Sequence, residues 1–130
     1  MPAGNGLSAR QRERIERAVA QAERASGLTF AVWVGATDED LRAHAERLHA
    51  ASGPGAARTV LLAVDPAQRG LEIVTGSDAR RALDDRSCAL AALTMTSCFS
   101  GGDLVGGVVQ GIVSLADHAR GPEVLHLDQP

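Results

Sequence analysis

Apolar residues first recur at helical spacing in Ile15, Ala18, Val19 and Ala22, preceded by a Ser8/Gln11 capping box and followed by Gly27 as a stop. The pattern predicts an amphipathic helix. Leu28 to Val34 is a short, β-rich run ended by Gly35 and reads as a buried strand. Thr37 is then expected to cap a second helix, with Asp38, Glu39 and Asp40 in its first turn, where carboxylates suit the helix dipole. Leu41, Ala45 and Leu48 form that helix's apolar face, and Ser52-Gly53-Pro54-Gly55 breaks it.

Thr59 to Val64 is a continuous apolar strand, Asp65 to Gly70 a turn, and Leu71 to Thr75 a third, alternating strand. The second and third strands form a hairpin. The first strand, second helix and second strand form a βαβ unit with parallel strands, so the sheet is mixed. A short helix follows Ser77, carrying Ala79, Ala82 and Leu83, and Asp84 or Asp85 caps the next. Residues 86–99 are apolar nearly all round, which predicts a helix enclosed by other elements. Gly101-Gly102 stops it, Asp103 caps a final helix burying Leu104, Val108, Ile112 and Leu115, and Gly107 and Gly111 allow close helix packing. The fold class expected is α/β: a three-layer α/β/α-like sandwich with a small mixed sheet and clustered C-terminal helices. Residues 1–120 are expected to form one domain, with 121–130 a short tail docked through Val124, Leu125 and Leu127.

Composition narrows the choices. The chain has 130 residues, 45% of them hydrophobic but only one Trp, two Phe and no Tyr, so the core must be aliphatic. Thirteen basic and sixteen acidic residues leave a net charge of −3, with no basic stripe to neutralise a phosphate backbone, which argues against nucleic acid as a partner. The first 14 residues lack the apolar run of a secretory signal, and no apolar stretch reaches the ~20 residues that span a bilayer. A cytoplasmic protein without membrane insertion is expected. Cys88 and Cys98 sit ten apart on one expected helix, ~15 Å at ~1.5 Å per residue, too far for a disulfide, and read as reduced core thiols.

No assembled active site can be read in the chain. Neither cysteine starts a phosphate-cradling loop, and no Gly-rich nucleotide loop or nucleophile elbow occurs. His44, His49, His118 and His126 lack zinc-site spacing, and His118 beside Asp117 points ~100° away from it on a helix. In an open α/β sheet the binding crevice lies beyond the carboxyl ends of the parallel strands, which singles out Asp38, Asp40 and Asp65 as oxygen ligands for a hard cation such as calcium or magnesium. Exposed acids at turns and caps are the bland alternative for the same residues.

The order of elements from Ile15 to Leu115 resembles the TPM domain, named from thylakoid-lumen, photosystem-associated and acetylcholine-receptor-modulator founders. The strand pair Val60-Leu61-Leu62-Ala63-Val64 and Leu71-Glu72-Ile73-Val74-Thr75-Gly76 carries the likeness. So does Phe99-Ser100-Gly101-Gly102-Asp103 with Gly107 and Gly111. Asp84-Asp85-Arg86 and the helix from Cys88 to Thr96 are similar to a short actinobacterial branch of uncharacterised members. The resemblance implies links to membrane-protein maintenance, metal binding and acid phosphatase activity, and marks Asp103 as a family position. Family members are usually exported or tethered, whereas this chain is expected to be neither.

Two functions follow as expectations. The first is a non-catalytic protein-interaction or scaffold module, monomeric or weakly dimeric, with a cation at its acidic loops; an unpaired sheet edge or apolar groove would favour it. The second is a small metal-dependent acid phosphatase using Asp38, Asp65, Asp84, Asp85 and Asp103, which requires several of these acids to converge on one pocket.

Overall fold

The computed structural model describes residues 7–120, so the expected tail, with Val124, Leu125, His126 and Leu127, lies outside the described residues. Helix α1 spans Ala9–Ser26; the Ser8 side chain accepts from Gln11 N while Gln11 reaches back to Ser8 N, and Gly27 ends the helix at φ 77°. Strand β1 is Thr29–Val34, helix α2 Leu41–Ala50, strand β2 Thr59–Asp65 and strand β3 Gly70–Thr75. A one-turn helix α3 (Ala79–Ala82) leads into α4 (Asp85–Ser100) and α5 (Leu104–Arg120).

The sheet order is β1-β2-β3, with β1 parallel and β3 antiparallel to the central β2. That is the expected βαβ unit plus hairpin. All seven residues of β2 are buried because helices cover both faces. Side-chain alternation divides the core: Val60, Leu62 and Val64 pack with Ile15, Met95, Ile112 and Leu115 under α1, α4 and α5. Leu61 and Ala63 pack with Leu41, Ala45 and Val74 under α2. Each Val, Leu or Ile so enclosed contributes about 1.5–3 kcal/mol. The three-layer α/β/α sandwich is therefore present, with α2 on one face and α1, α4 and α5, together with the short α3, on the other.

Three local expectations need correction. Thr37 does not cap α2; the helix starts at Leu41, and the Asp40 carboxylate caps it by accepting from Ala43 N at 3.0 Å. Thr37 is instead held in the preceding turn, where its Oγ1 accepts from Glu39 N at 3.2 Å and its own N–H donates to Asp65 Oδ2 at 3.2 Å. Helix α4 is not enclosed: only Ala91 and Met95 are buried, and Leu93 is 67% and Leu90 43% exposed, because α4 packs against α5 and the sheet on one side only. In α5, Val105 is buried, whereas Leu104 is only half-buried at the core's edge.

The glycine pair expected to permit close packing does so between α4 and α5. A Cβ on Gly107 would lie 2.5 Å from Phe99 Cε1, and one on Gly111 would run into Met95, with Cγ at 2.6 Å. The absence of side chains there lets Phe99 and Met95 of α4 lie directly against the α5 backbone.

Candidate functional site

At the carboxyl ends of β1 and β2, Asp65 is fully buried, and its carboxylate is saturated by N–H donors. Oδ1 accepts from Ala67 N (3.1 Å) and Gln68 N (3.4 Å), and Oδ2 from Thr37 N (3.2 Å) and Gln68 Nε2 (2.8 Å). Buried carboxylates survive only when so paired. Asp65 therefore ties the β1–α2 loop to the β2–β3 turn, and its lone pairs point at amides.

The other candidate acids fall in separate places. Asp40 caps α2, and Asp84 caps α4 by accepting from Ser87 N at 2.8 Å, a bond that holds its carboxyl below the ordinary range. Asp103 caps α5 by accepting from Gly106 N at 2.9 Å. Asp85 lies in the first turn of α4, and Asp38 sits exposed in the β1–α2 loop. Among the described residues, no group of three or more His, Cys, Asp or Glu side chains is arranged to hold a metal ion.

Glu39, not among those candidates, sits at the centre of the most organised charged cluster. Its carboxylate pairs with Arg47 and accepts from His44 Nδ1 at 3.1 Å. The Arg47 hydrogen bond, reinforced by His44, holds the Glu39 carboxyl down at about 2. His44 lies edge-to-face with Trp33, ring centroids 4.5 Å apart, and its Nε2 is buried with no polar partner among the described residues. The i+5 and i+8 spacings from Glu39 would have pointed to this cluster only if α2 had been known to start at Leu41. Elsewhere His49 Nε2 bonds Thr59 O at 2.9 Å and His118 Nδ1 bonds Ser114 O at 2.8 Å, while Asp117 faces Arg120 at 3.9 Å instead of pairing with His118. Cys88 and Cys98 are free and half-buried, and burial, then Asp85 and Asp84, push the Cys88 thiol up.

Two concavities flank the sheet among the described residues, at the α4–α5 junction and beside α1. One, of about 510 Å³, opens between the β2–β3 turn and the α4–α5 junction, with Val64, Leu71, Phe99 and Leu104 on its walls and Arg69 at its mouth. The other, of about 370 Å³, is a groove between α1 and β1, floored by Ile15, Val19, Phe30 and Val32 and rimmed by Arg12 and Glu16.

The two sheet edges differ. On β3, Gly76 N bonds Thr59 O in β2, so alternation turns Leu71, Ile73 and Thr75 outward. Two of their carbonyls are covered: Arg42 Nη1 donates to Ile73 O at 3.0 Å and Arg80 Nη2 to Thr75 O at 3.3 Å. On β1, Gly35 N bonds Val64 O in β2, so Phe30, Val32 and Val34 face outward. There Glu23 Oε2 accepts from Phe30 N at 3.0 Å, and no other hydrogen bond to the outward backbone groups of Phe30, Val32 and Val34 is made among the described residues. Strand β1, Thr-Phe-Ala-Val-Trp-Val, carries no charge and no proline to blunt that edge.

The fold recurs in solved structures of low sequence identity. The BA42 protein of the psychrophilic bacterium Bizionia argentinensis superposes with a TM-score of 0.74 at 16% identity, covering 88% of this chain and 81% of that one. The N-terminal domain of the cg2496 protein of Corynebacterium glutamicum gives 0.71 at 16% identity, covering 89% and 80%. The N-terminal domain of a protein from P. gingivalis gives 0.75 at 23% identity, covering 88% and 77%. In sequence, the chain is 31% identical over 98 residues to the uncharacterized protein Rv2468c of Mycobacterium tuberculosis, 75% of this chain. It spans only 58% of that relative's length. The family model described as "Domain of unknown function (DUF5130)" matches residues 3–116, and the chain belongs to that family.

Proposed function

We propose that this protein is a non-catalytic protein-interaction module that takes up an extended segment of polypeptide along the outer edge of β1. The observation that carries the reading is the open edge of β1: the outward backbone groups of Val32 and Val34 have no partner among the described residues, whereas two carbonyls of the β3 edge, those of Ile73 and Thr75, are capped by Arg42 and Arg80. An added strand would satisfy those groups and set its alternate side chains into the groove between α1 and β1. Kinship with the TPM family belongs to the same proposal, supported by the βαβ-plus-hairpin sheet and by the glycine-mediated α4–α5 contact. So does a cytoplasmic setting, in keeping with two free thiols. No helix among the described residues is long and apolar enough to cross a membrane.

The phosphatase alternative gains no support from this arrangement. It needs converging acids, whereas Asp40, Asp84 and Asp103 each cap a different helix and Asp65 is saturated by amides.

Trp33, the sole tryptophan, lies on β1 and serves as the reporter. Peptides selected from a random library on the wild-type protein should change its emission saturably. The same peptides should not bind Val32→Pro, a substitution that an outward-facing amide tolerates without loss of the fold. Equal binding to a folded Val32→Pro variant, or selection of no peptide at all, would overturn the reading.

A further inference from the structure

We infer that the pocket of about 510 Å³ between the β2–β3 turn and the α4–α5 junction is a binding site for an amphipathic monocarboxylate, a small molecule in which one carboxylate ends an apolar chain or ring system. The inference goes beyond the interaction reading above and concerns a different part of the molecule from the β1 edge.

Three elements build the apolar part. Leu71 from β3, Phe99 from α4 and Leu104 from α5 pack against the core, yet each is only half-buried, and all three line this pocket beside the buried Val64 of β2. An apolar body lying on them removes that remaining surface from water. The volume falls within the range of about 300–1,000 Å³ in which proteins enclose small ligands.

The polar part is a single charge. Arg69 is the one charged residue lining the pocket among the described residues, and its guanidinium makes no hydrogen bond or ion pair among them. The Ser100 hydroxyl, also in the lining, is equally unengaged. Asp65 and Asp103, the acids nearest along the chain, accept from backbone amides and are not part of the lining. A planar guanidinium matches a carboxylate bidentately, and one cation balances one negative charge. A phosphate dianion would leave its second charge unbalanced beside apolar walls.

Arg69 also occupies an uncommon backbone position. Among the described residues it is the single non-glycine residue with positive φ, at 54°, a conformation that glycine adopts more readily. The turn itself does not need an arginine there; the pocket does.

The test is calorimetric titration of the full chain with decanoate and naphthoate, each beside the corresponding alcohol and below micelle formation. At least one carboxylate should saturate one site per chain, at least tenfold more tightly than its alcohol, and which of them does so separates a chain from a ring system. Inorganic phosphate should not displace it. Arg69→Gly should melt higher than the wild type without ligand, since glycine takes a φ of 54° freely, and should bind the carboxylate at least tenfold more weakly with the alcohol unchanged. Thr96→Trp, at an exposed position of the lining, should stay folded by circular dichroism and exclude both ligands. Val32→Pro should bind as the wild type does. No saturable binding of either carboxylate, equal affinity for carboxylate and alcohol, displacement by phosphate, or a carboxylate affinity that survives either Arg69→Gly or Thr96→Trp would overturn the inference.

Discussion

Asp65, at the end of β2, accepts a hydrogen bond from the backbone N–H of Thr37, 28 residues earlier, at 3.2 Å, and the same carboxylate closes the β2–β3 turn through Ala67 and Gln68. One buried side chain therefore fixes both loops at the carboxyl ends of the parallel strands.

Asp65→Ala should destabilise the fold by about 1–3 kcal/mol, chiefly through the half-buried Thr37 N–H that loses its acceptor, since the exposed turn at Ala67 and Gln68 can turn to water. Urea unfolding measures it. Asp65→Asn should cost less, since it keeps an acceptor for the turn but sets an amide against the Gln68 side chain that now donates to Oδ2 at 2.8 Å.

Gly107→Ala should also lower stability. The new Cβ would press on the Phe99 ring at 2.5 Å and on Cys98 Cβ at 3.0 Å. Overpacking of about 1–3 kcal/mol outweighs the roughly 1 kcal/mol that alanine adds to helix propensity. Gly101→Ala is the control: at φ −84°, with its nearest contact Cys98 O at 3.5 Å, it should be close to neutral in thermal melting.

The Glu39–Arg47–His44 cluster gives acid stability a definite window. The Glu39 carboxyl is lowered from 4.5 to about 2, so its contribution is complete above 4.5 and is lost as pH falls from there through 2. Glu39→Gln should therefore narrow the stability difference from wild type as pH is lowered from 5 to 2. Because the pair is exposed, the difference at neutral pH should be small and should shrink further with added salt. A difference independent of pH across that window would contradict the assignment to Glu39.

Calcium, magnesium or manganese should produce no saturable rise in melting temperature, because Asp40, Asp65, Asp84 and Asp103 are engaged as separate caps and ties and no three acids converge among the described residues. Asp103→Ala should cost about 0.5–2 kcal/mol whether or not a cation is present, as the loss of an N-cap does. A saturable shift that disappears in Asp103→Ala would restore the metal site to consideration.

The sequence carried the elements whose causes are local. Ser8, Gln11 and Gly27 bound α1 by capping chemistry that three or four residues contain, and the unbroken apolar run of β2 announced a strand covered on both faces. The Thr37 assignment failed because the competing partner, Asp65, is remote in sequence, and a local rule cannot weigh a donor committed to another loop. The enclosure of α4 failed because apolarity all round was read as burial, whereas only Ala91 and Met95 are covered and Leu93 meets solvent. The contrast between edges was beyond reach for the same reason: Arg42 and Arg80 read as ordinary helix charges until the fold set them against β3 carbonyls. The uncharged composition of β1 was the one legible sign of an edge left open.

The burial of every residue of β2 also sets how the molecule breathes. Its amides are bonded to strands on either side and roofed by helices on both faces, so no partial opening exposes them; they can trade hydrogen for deuterium only when the whole chain unfolds. The outer face of α4, where Leu90 and Leu93 meet solvent, is held less closely, so its amides should exchange well before those of β2, which makes the central strand a gauge of global stability.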